Sequence, residues 1–350
     1  MRATAAAGRA AADRRPALPP AANAEAAVNE AATDELGVLA TTRPVVEAAR
    51  HVRIDGAAVA AVAARLAAGE LRVPAWNTHY HYAGEPTATA LYILALDALN
   101  FSFWGEPRWR IVYGGETLDG YWALAAALKR AALAGRLPLD PAALAEMTEA
   151  DLAAILAGEG TIPLLAERAA NLRELGAGLR DHWGGSVARF IEAAGGSAPR
   201  LARLLARDFA SFDDVATYAG REVRFYKRAQ IAVADLWGAL GGQGLGAFRD
   251  LEHLTAFADY KVPQVLRRLG ILVYDAHLAG LVDSRAELPP GSAEEVEIRA
   301  ATIWGVEELR RALAAAGRSV RAFEIDWYLW EEGQRVRDDR PYHRTRTIYY

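Results

Sequence analysis

Apolar residues recur along most of the chain at three- and four-residue spacing, the period that places one face of a helix against a core. The pattern starts near Ala24 and predicts helices over residues 24–36, 45–52 and 55–68. Asp55 is a suitable N-cap for the last of these, and Gly69 a suitable stop. Residues 87–100 are apolar on nearly every face, which predicts a deeply buried helix. Further helices are expected over 121–134, 140–146, 149–156, 163–179, 187–194 and 199–206. Residues 221–240 are expected to form one more, with Val223, Tyr226, Gln230, Val233 and Trp237 as its buried seam. Ser292 and Glu295 form a capping box that opens a long helix, Ala293–Ala315, with Val296, Ala300, Ile303 and Val306 as its core stripe and Glu297 and Trp304 on another face. The one predicted hairpin runs through 108–118, where Gly114-Gly115 provides the positive φ of a tight turn. The fold class is therefore mostly α with one short hairpin.

Composition narrows the function classes. The 350 residues suffice for one compact unit over 31–350 or two packed subdomains, about 31–200 and 201–350. Residues 1–30, rich in alanine, arginine and proline, read as a disordered tail. A net charge of −4 argues against a stable complex with long nucleic acid, which calls for a basic face. The absence of cysteine excludes disulfides, thiolate nucleophiles and cysteine metal sites. No apolar run reaches the roughly 18 residues of a membrane span, so a soluble, cytoplasmic protein is expected.

Candidate chemistry is concentrated in the second half. Residues 257–264 read Phe-Ala-Asp-Tyr-Lys-Val-Pro-Gln; Pro263 suits the first turn of a helix and Gly270 its end. Asp259 then lies just ahead of a helix N-terminus, where the macrodipole favours the carboxylate. It is read either as a helix cap or as a functional anion. Lys227, Ile231 and Asp235 lie four apart on one helix face, as a solvated pair or as part of a site. Phe101, Phe103 and Trp104 form either core or a base-stacking wall. The glycine-rich turn 241–246 lacks the Lys-Ser/Thr ending of a phosphate loop, but a helix, a glycine turn, a helix and an Asp follow the order of helix-hairpin-helix base glycosylases. His79 and His81 lack a third nearby ligand, so no metal is expected. The C-terminus places His343, Arg344, Arg346 and Tyr349 among hydroxyls, donors that suit a phosphomonoester. Its closing Ile-Tyr-Tyr should prefer burial to fraying.

Taken together, Tyr92-Ile93-Leu94-Ala95-Leu96-Asp97 through Phe101-Ser102-Phe103-Trp104, Gly120-Tyr121-Trp122, the 257–264 stretch, Glu297 through Trp304, Asp326-Trp327-Tyr328-Leu329-Trp330 and the C-terminal residues 342–350 resemble the queuosine salvage proteins. These are queuosine 5′-phosphate N-glycosylases, which release the 7-deazaguanine base queuine from its nucleotide. The resemblance implies an architecture like that of helical DNA glycosylases, a mononucleotide substrate and no cofactor. It also implies Asp259 as the group that stabilises positive charge on the ribose and orients water. Lys227 and Asp235 would contact the nucleotide, Phe101, Phe103, Trp104 or Trp237 would stack on the base, Tyr260 would line the site, and Arg299 would be a further phosphate candidate. A damaged-base DNA glycosylase and a non-catalytic helical nucleotide-binding protein are the alternatives.

Overall fold

In the computed structural model, which describes residues 34–336 and 340–350, the helical periodicity becomes fourteen α-helices with three short antiparallel strand pairs. The expected tail and nearly all of the 24–36 helix lie outside the described residues. In chain order come α1 (Val38–Ala48), β1 (Val52–Ile54), α2 (Gly56–Arg65), α3 (Pro86–Ala98), β2 (Arg110–Tyr113), β3 (Glu116–Asp119) and α4 (Gly120–Leu133). They are followed by α5 (Pro141–Ala145), α6 (Glu149–Ile155), α7 (Leu165–Trp183), α8 (Val187–Glu192) and α9 (Ala198–Asp208). The remainder are β4 (Val215–Tyr218), β5 (Arg221–Arg224), α10 (Lys227–Ala239), α11 (Lys261–Arg268), β6 (Leu272–Tyr274), α12 (Ala276–Asp283), α13 (Ala293–Ala315) and α14 (Ala322–Arg335).

Two expectations change. The 45–52 helix is the end of α1, which starts earlier and stops at Ala48, because Val52–Ile54 leaves the helical path to pair with Leu272–Tyr274. The 221–240 helix begins only at Lys227. Ala219 and Gly220, both at positive φ, turn the chain so that β4 and β5 form a second hairpin. Asp214 then anchors the start of α10: its carbonyl accepts from Phe225 and Tyr226, and its Oδ2 accepts from the Lys227 N–H. Val223 is thus a buried strand residue, whereas Gln230 and Val233 keep their buried helical places. The glycine turn ends in a single 3-10 turn, Gly244–Gly246, and a second, Leu251–His253, follows, so the next α-helix is α11, with Asp259 ahead of it.

Every residue of α3 from Thr89 to Ala98 is buried, as its all-round apolar pattern requires. Carbonyls at its C-terminus and in the loop that follows are satisfied by side chains from elsewhere. Arg228 donates to the carbonyls of Asp97 and Ala98, Arg168 to those of Leu99, Phe101 and Ser102, and Asn171 to that of Ala98. These bonds fix the loop that carries Phe101 and Phe103.

The core falls into two apolar clusters that helix α13 joins: Val296, Ala300 and Ile303 belong to one, Ile298, Ala301 and Val306 to the other. Ser292 caps α13 by accepting from the Glu295 N–H. Glu297, buried, accepts the N–H groups of Arg50, His51 and Val52, and Trp304 Nε1 donates to Thr42, so the polar face of α13 holds α1 and β1. The C-terminal segment folds back onto the body. Leu288 N–H donates to the Arg344 carbonyl, Ser102 N–H donates to the Tyr350 carbonyl, and Tyr350 is buried.

Candidate active site

Stretches distant in sequence line a cavity of about 230 Å³, and four of them carry most of its candidate chemistry. Helix α10 supplies Lys227, Ile231 and Asp235, whose four-residue spacing turns them to one side. The loop after α3 adds Asn100, Phe101 and Phe103, and α14 adds Asp326, Trp327 and Trp330. The segment leading into α11 contributes Phe257, Asp259, Tyr260 and Lys261.

Asp259 is both a cap and a site residue. Its Oδ1 accepts from the N–H groups of Lys261 and Val262, each at 2.8 Å, which leaves Oδ2 for the cavity the residue lines. Burial raises its pKa, opposed first by the neighbouring Lys227 ammonium and then by those two N–H donors. Lys227 is itself buried, with Nζ 3.3 Å from the Asn100 carbonyl. Burial lowers its pKa, and the charge of Asp259 works against that.

Asp326 accepts from the Phe257 N–H through Oδ2 at 2.9 Å. Burial pushes this carboxyl well above the usual range, and the charge of Asp259 pushes the same way. Two turns along α10 from Lys227, Asp235 is raised well above its ordinary value by burial and by Asp97, which burial itself lifts to about 7. The Tyr121 hydroxyl lies 3.3 Å from Asp235 Oδ2 and 2.8 Å from His81 Nε2. His81 Nδ1 is 2.7 Å from the Asn77 carbonyl, and burial lowers this imidazole to about 4, so Nδ1 carries the hydrogen and Nε2 accepts. The single Tyr121 proton serves one of its two contacts. A proton on Asp235 completes the other.

Of the residues to which sequence gave a catalytic or substrate-binding role, Asp259, Lys227, Asp235, Phe101, Phe103 and Tyr260 line this cavity. The rest sit elsewhere. Trp104 is buried with the Arg344 and Arg346 guanidinium groups over its ring at 5.6 and 4.7 Å, and Arg346 also pairs with Glu287 at 2.9 Å. Trp237 stacks behind the cavity residue Trp327. Arg299 is buried, held to Asp214 at 2.9 Å, and donates to the Ala258 carbonyl at 3.1 Å, so it fixes the backbone next to Asp259. His343 is fully enclosed, and burial lowers it to about 3. Tyr349 is half-buried outside the cavity lining.

Sequence reasoning gave no site role to Asp326, Tyr121 and Tyr342, which it met only within the motifs of the family resemblance, or to Arg108, yet all four line the cavity. An acid inside the aromatic run 323–330 was a signal for Asp326. Arg108, which pairs with Asp119 at 3.2 Å, and Tyr342, whose ring lies 4.7 Å from that of Tyr260, meet only through tertiary folding. Among the described residues, the grouping with metal-ligating geometry is Glu35, Asp250 and His253, and none of these lines the cavity.

Comparison with known sequences shows the family. The profile described as queuosine salvage protein matches residues 79–350. A queuosine 5′-phosphate N-glycosylase/hydrolase of Sphaerobacter thermophilus is 58% identical over 91% of this chain and 98% of its own length. Proteins of the same name from Bos taurus and Mus musculus are each 36% identical, over 87% and 89% of this chain and 96% and 97% of theirs. The chain belongs to the queuosine salvage protein family.

Proposed function

We propose that the protein hydrolyses the N-glycosidic bond of queuosine 5′-monophosphate, releasing queuine for reuse in tRNA modification. The observation that carries this reading is Asp259: one oxygen is fixed by two backbone donors, the other is left to a cavity, and a buried Lys227 lies beside it. As the bond between ribose C1′ and base N9 stretches, positive charge grows on the ribose ring, and a preorganised carboxylate in a site sheltered from water stabilises that charge. Asp259 Oδ2 is suited to this and to orienting the water that adds to C1′. Phe101, Phe103 and Trp327 offer flat faces for the base. Arg108 and Lys261 are the cations of the lining besides Lys227, and with the Tyr342 hydroxyl they make up a donor set for a 5′-phosphate. They take the role that sequence reading gave to Arg344 and Arg346, whose guanidinium groups are turned onto Trp104. The test is incubation with queuosine, its 5′-monophosphate and ordinary nucleotides, followed by chromatography for free base. Release of queuine, fastest from the monophosphate, is expected. Intact binding without release would make the protein a nucleotide-binding one.

A further inference from the structure

The proposed substrate sets a chemical difficulty that Asp259 does not solve. When the C1′–N9 bond breaks, its electron pair stays on the base. In an ordinary purine a proton on N7 relieves that charge, but the 7-deaza base has carbon at this position. A proton must reach another basic atom of the base, and a group in the cavity has to deliver it.

Two carboxyl groups and one buried ammonium meet at this end of the cavity: Asp259, Asp326 and Lys227. Their surroundings differ. Asp259 has two N–H donors on a single oxygen and Lys227 as its main charge partner, both of which favour the anion. Asp326 receives one N–H, from Phe257, on Oδ2, and its strongest charged neighbour is the Asp259 carboxylate. The charged groups acting on it are Asp259 from the segment before α11 and Lys227 from α10, and Lys227 also interacts with Asp97 and Asp235. Burial and the Asp259 charge both favour the protonated form of Asp326, and a pair of acids driven apart in this way divides into a stabilising anion and a proton donor.

Resting on the function proposed above, we infer that Asp326 is the general acid that protonates the departing 7-deazaguanine base. The C1′–N9 pair leaves with the base, and the Asp326 proton moves to a basic atom of that base. Water oxygen bonds to C1′, and the proton it sheds restores the Asp326 acid. No other reactant is needed.

The test compares two leaving groups on the same ribose 5′-phosphate: queuine, and 4-nitrophenolate, which departs without a proton. Asp326→Asn retains an acceptor for the Phe257 N–H, so the fold should survive, as a melting curve will check. Its kcat on queuosine 5′-monophosphate should fall by about 100-fold or more, with KM within a few-fold, while 4-nitrophenyl riboside 5′-phosphate is cleaved at near wild-type rate. Asp259→Asn should lose both activities. Equal loss on both substrates in Asp326→Asn, or loss on neither, overturns the assignment. A wild-type protein inactive on queuosine 5′-monophosphate overturns the function reading and this inference with it. If the Asn variant does not fold, the wild-type pH profile decides. Deprotonation of Asp326 should lower kcat at alkaline pH for the queuine leaving group alone, and the same alkaline limb with nitrophenolate refutes the role.

Discussion

Asp259 does two jobs with its two oxygens, and a substitution can separate them. In Asp259→Asn the amide oxygen still accepts from the Lys261 and Val262 N–H groups, so the start of α11 and the melting temperature should change little. The charge disappears. Turnover should drop by about two orders of magnitude or more with substrate binding kept, the scale of losing one well-placed electrostatic group; a variant within a few-fold of wild type would remove Asp259 from the chemistry. Arg108 allows a complementary test. A guanidinium bound to a phosphomonoester contributes about 1.5–3 kcal/mol, so Arg108→Ala should raise KM for the 5′-phosphate by about 10- to 100-fold and barely affect the nucleoside. If Arg344→Ala or Arg346→Ala shifts that ratio instead, the phosphate lies toward the C-terminus. Asp259, Lys227 and Asp235 were legible because helix periodicity and the position of Pro263 are local facts. Arg108 was not, since its neighbour in space, Tyr342, arrives from the other end of the chain.

At the scale of elements, the capped and strongly periodic helices were readable, and the α13 limits match the residue pattern that predicts them. The β4–β5 hairpin was not, because the apolar and charged spacing of 221–226 continues smoothly into α10. The clue was Ala219-Gly220, a turn at positive φ. Helix packing offers a paired prediction. Gly176 in α7 faces the backbone of α5: an added Cβ would press on Ala145 and lie 2.6 Å from the Pro141 carbonyl oxygen. Backbone cannot step aside as a flexible side chain can. Gly176→Ala should therefore cost about 1–3 kcal/mol in urea denaturation even though alanine has the higher helix propensity. Gly280 in α12 has open space at the same point, and Gly280→Ala should be neutral or stabilise by up to about 1 kcal/mol. Equal behaviour of the two variants would mean that the α5–α7 contact is looser than the structure has it.

At the scale of the whole molecule, the burial of Tyr350 was legible from the composition of the closing Ile-Tyr-Tyr, whose Ile348 and Tyr349 are half-buried. The consequence for titration was not, because His343 is enclosed only once the C-terminal segment returns to α13, where the Tyr350 hydroxyl donates to Glu295. His343 and His81 are held neutral by burial, at about 3 and about 4. The unfolded chain protonates histidine near pH 6.5, so below that pH it binds protons the folded chain refuses. The stability they contribute is full above about pH 6.5 and is lost as pH falls toward their folded values. Buried carboxyls act in the opposite sense: Asp97, at about 7, keeps a proton that the unfolded chain releases above about pH 4, so its cost at neutral pH shrinks on acidification. The two effects offset one another in the wild type, and a difference measurement isolates the histidine. Comparing wild type with His343→Gln in urea titrations from pH 7.5 to 4.5, the variant should lose less stability on acidification, by roughly 2–3 kcal/mol at the acid end. Parallel pH curves for the two proteins would show that His343 titrates normally in the fold, and that the C-terminal segment opens to water well before the core does.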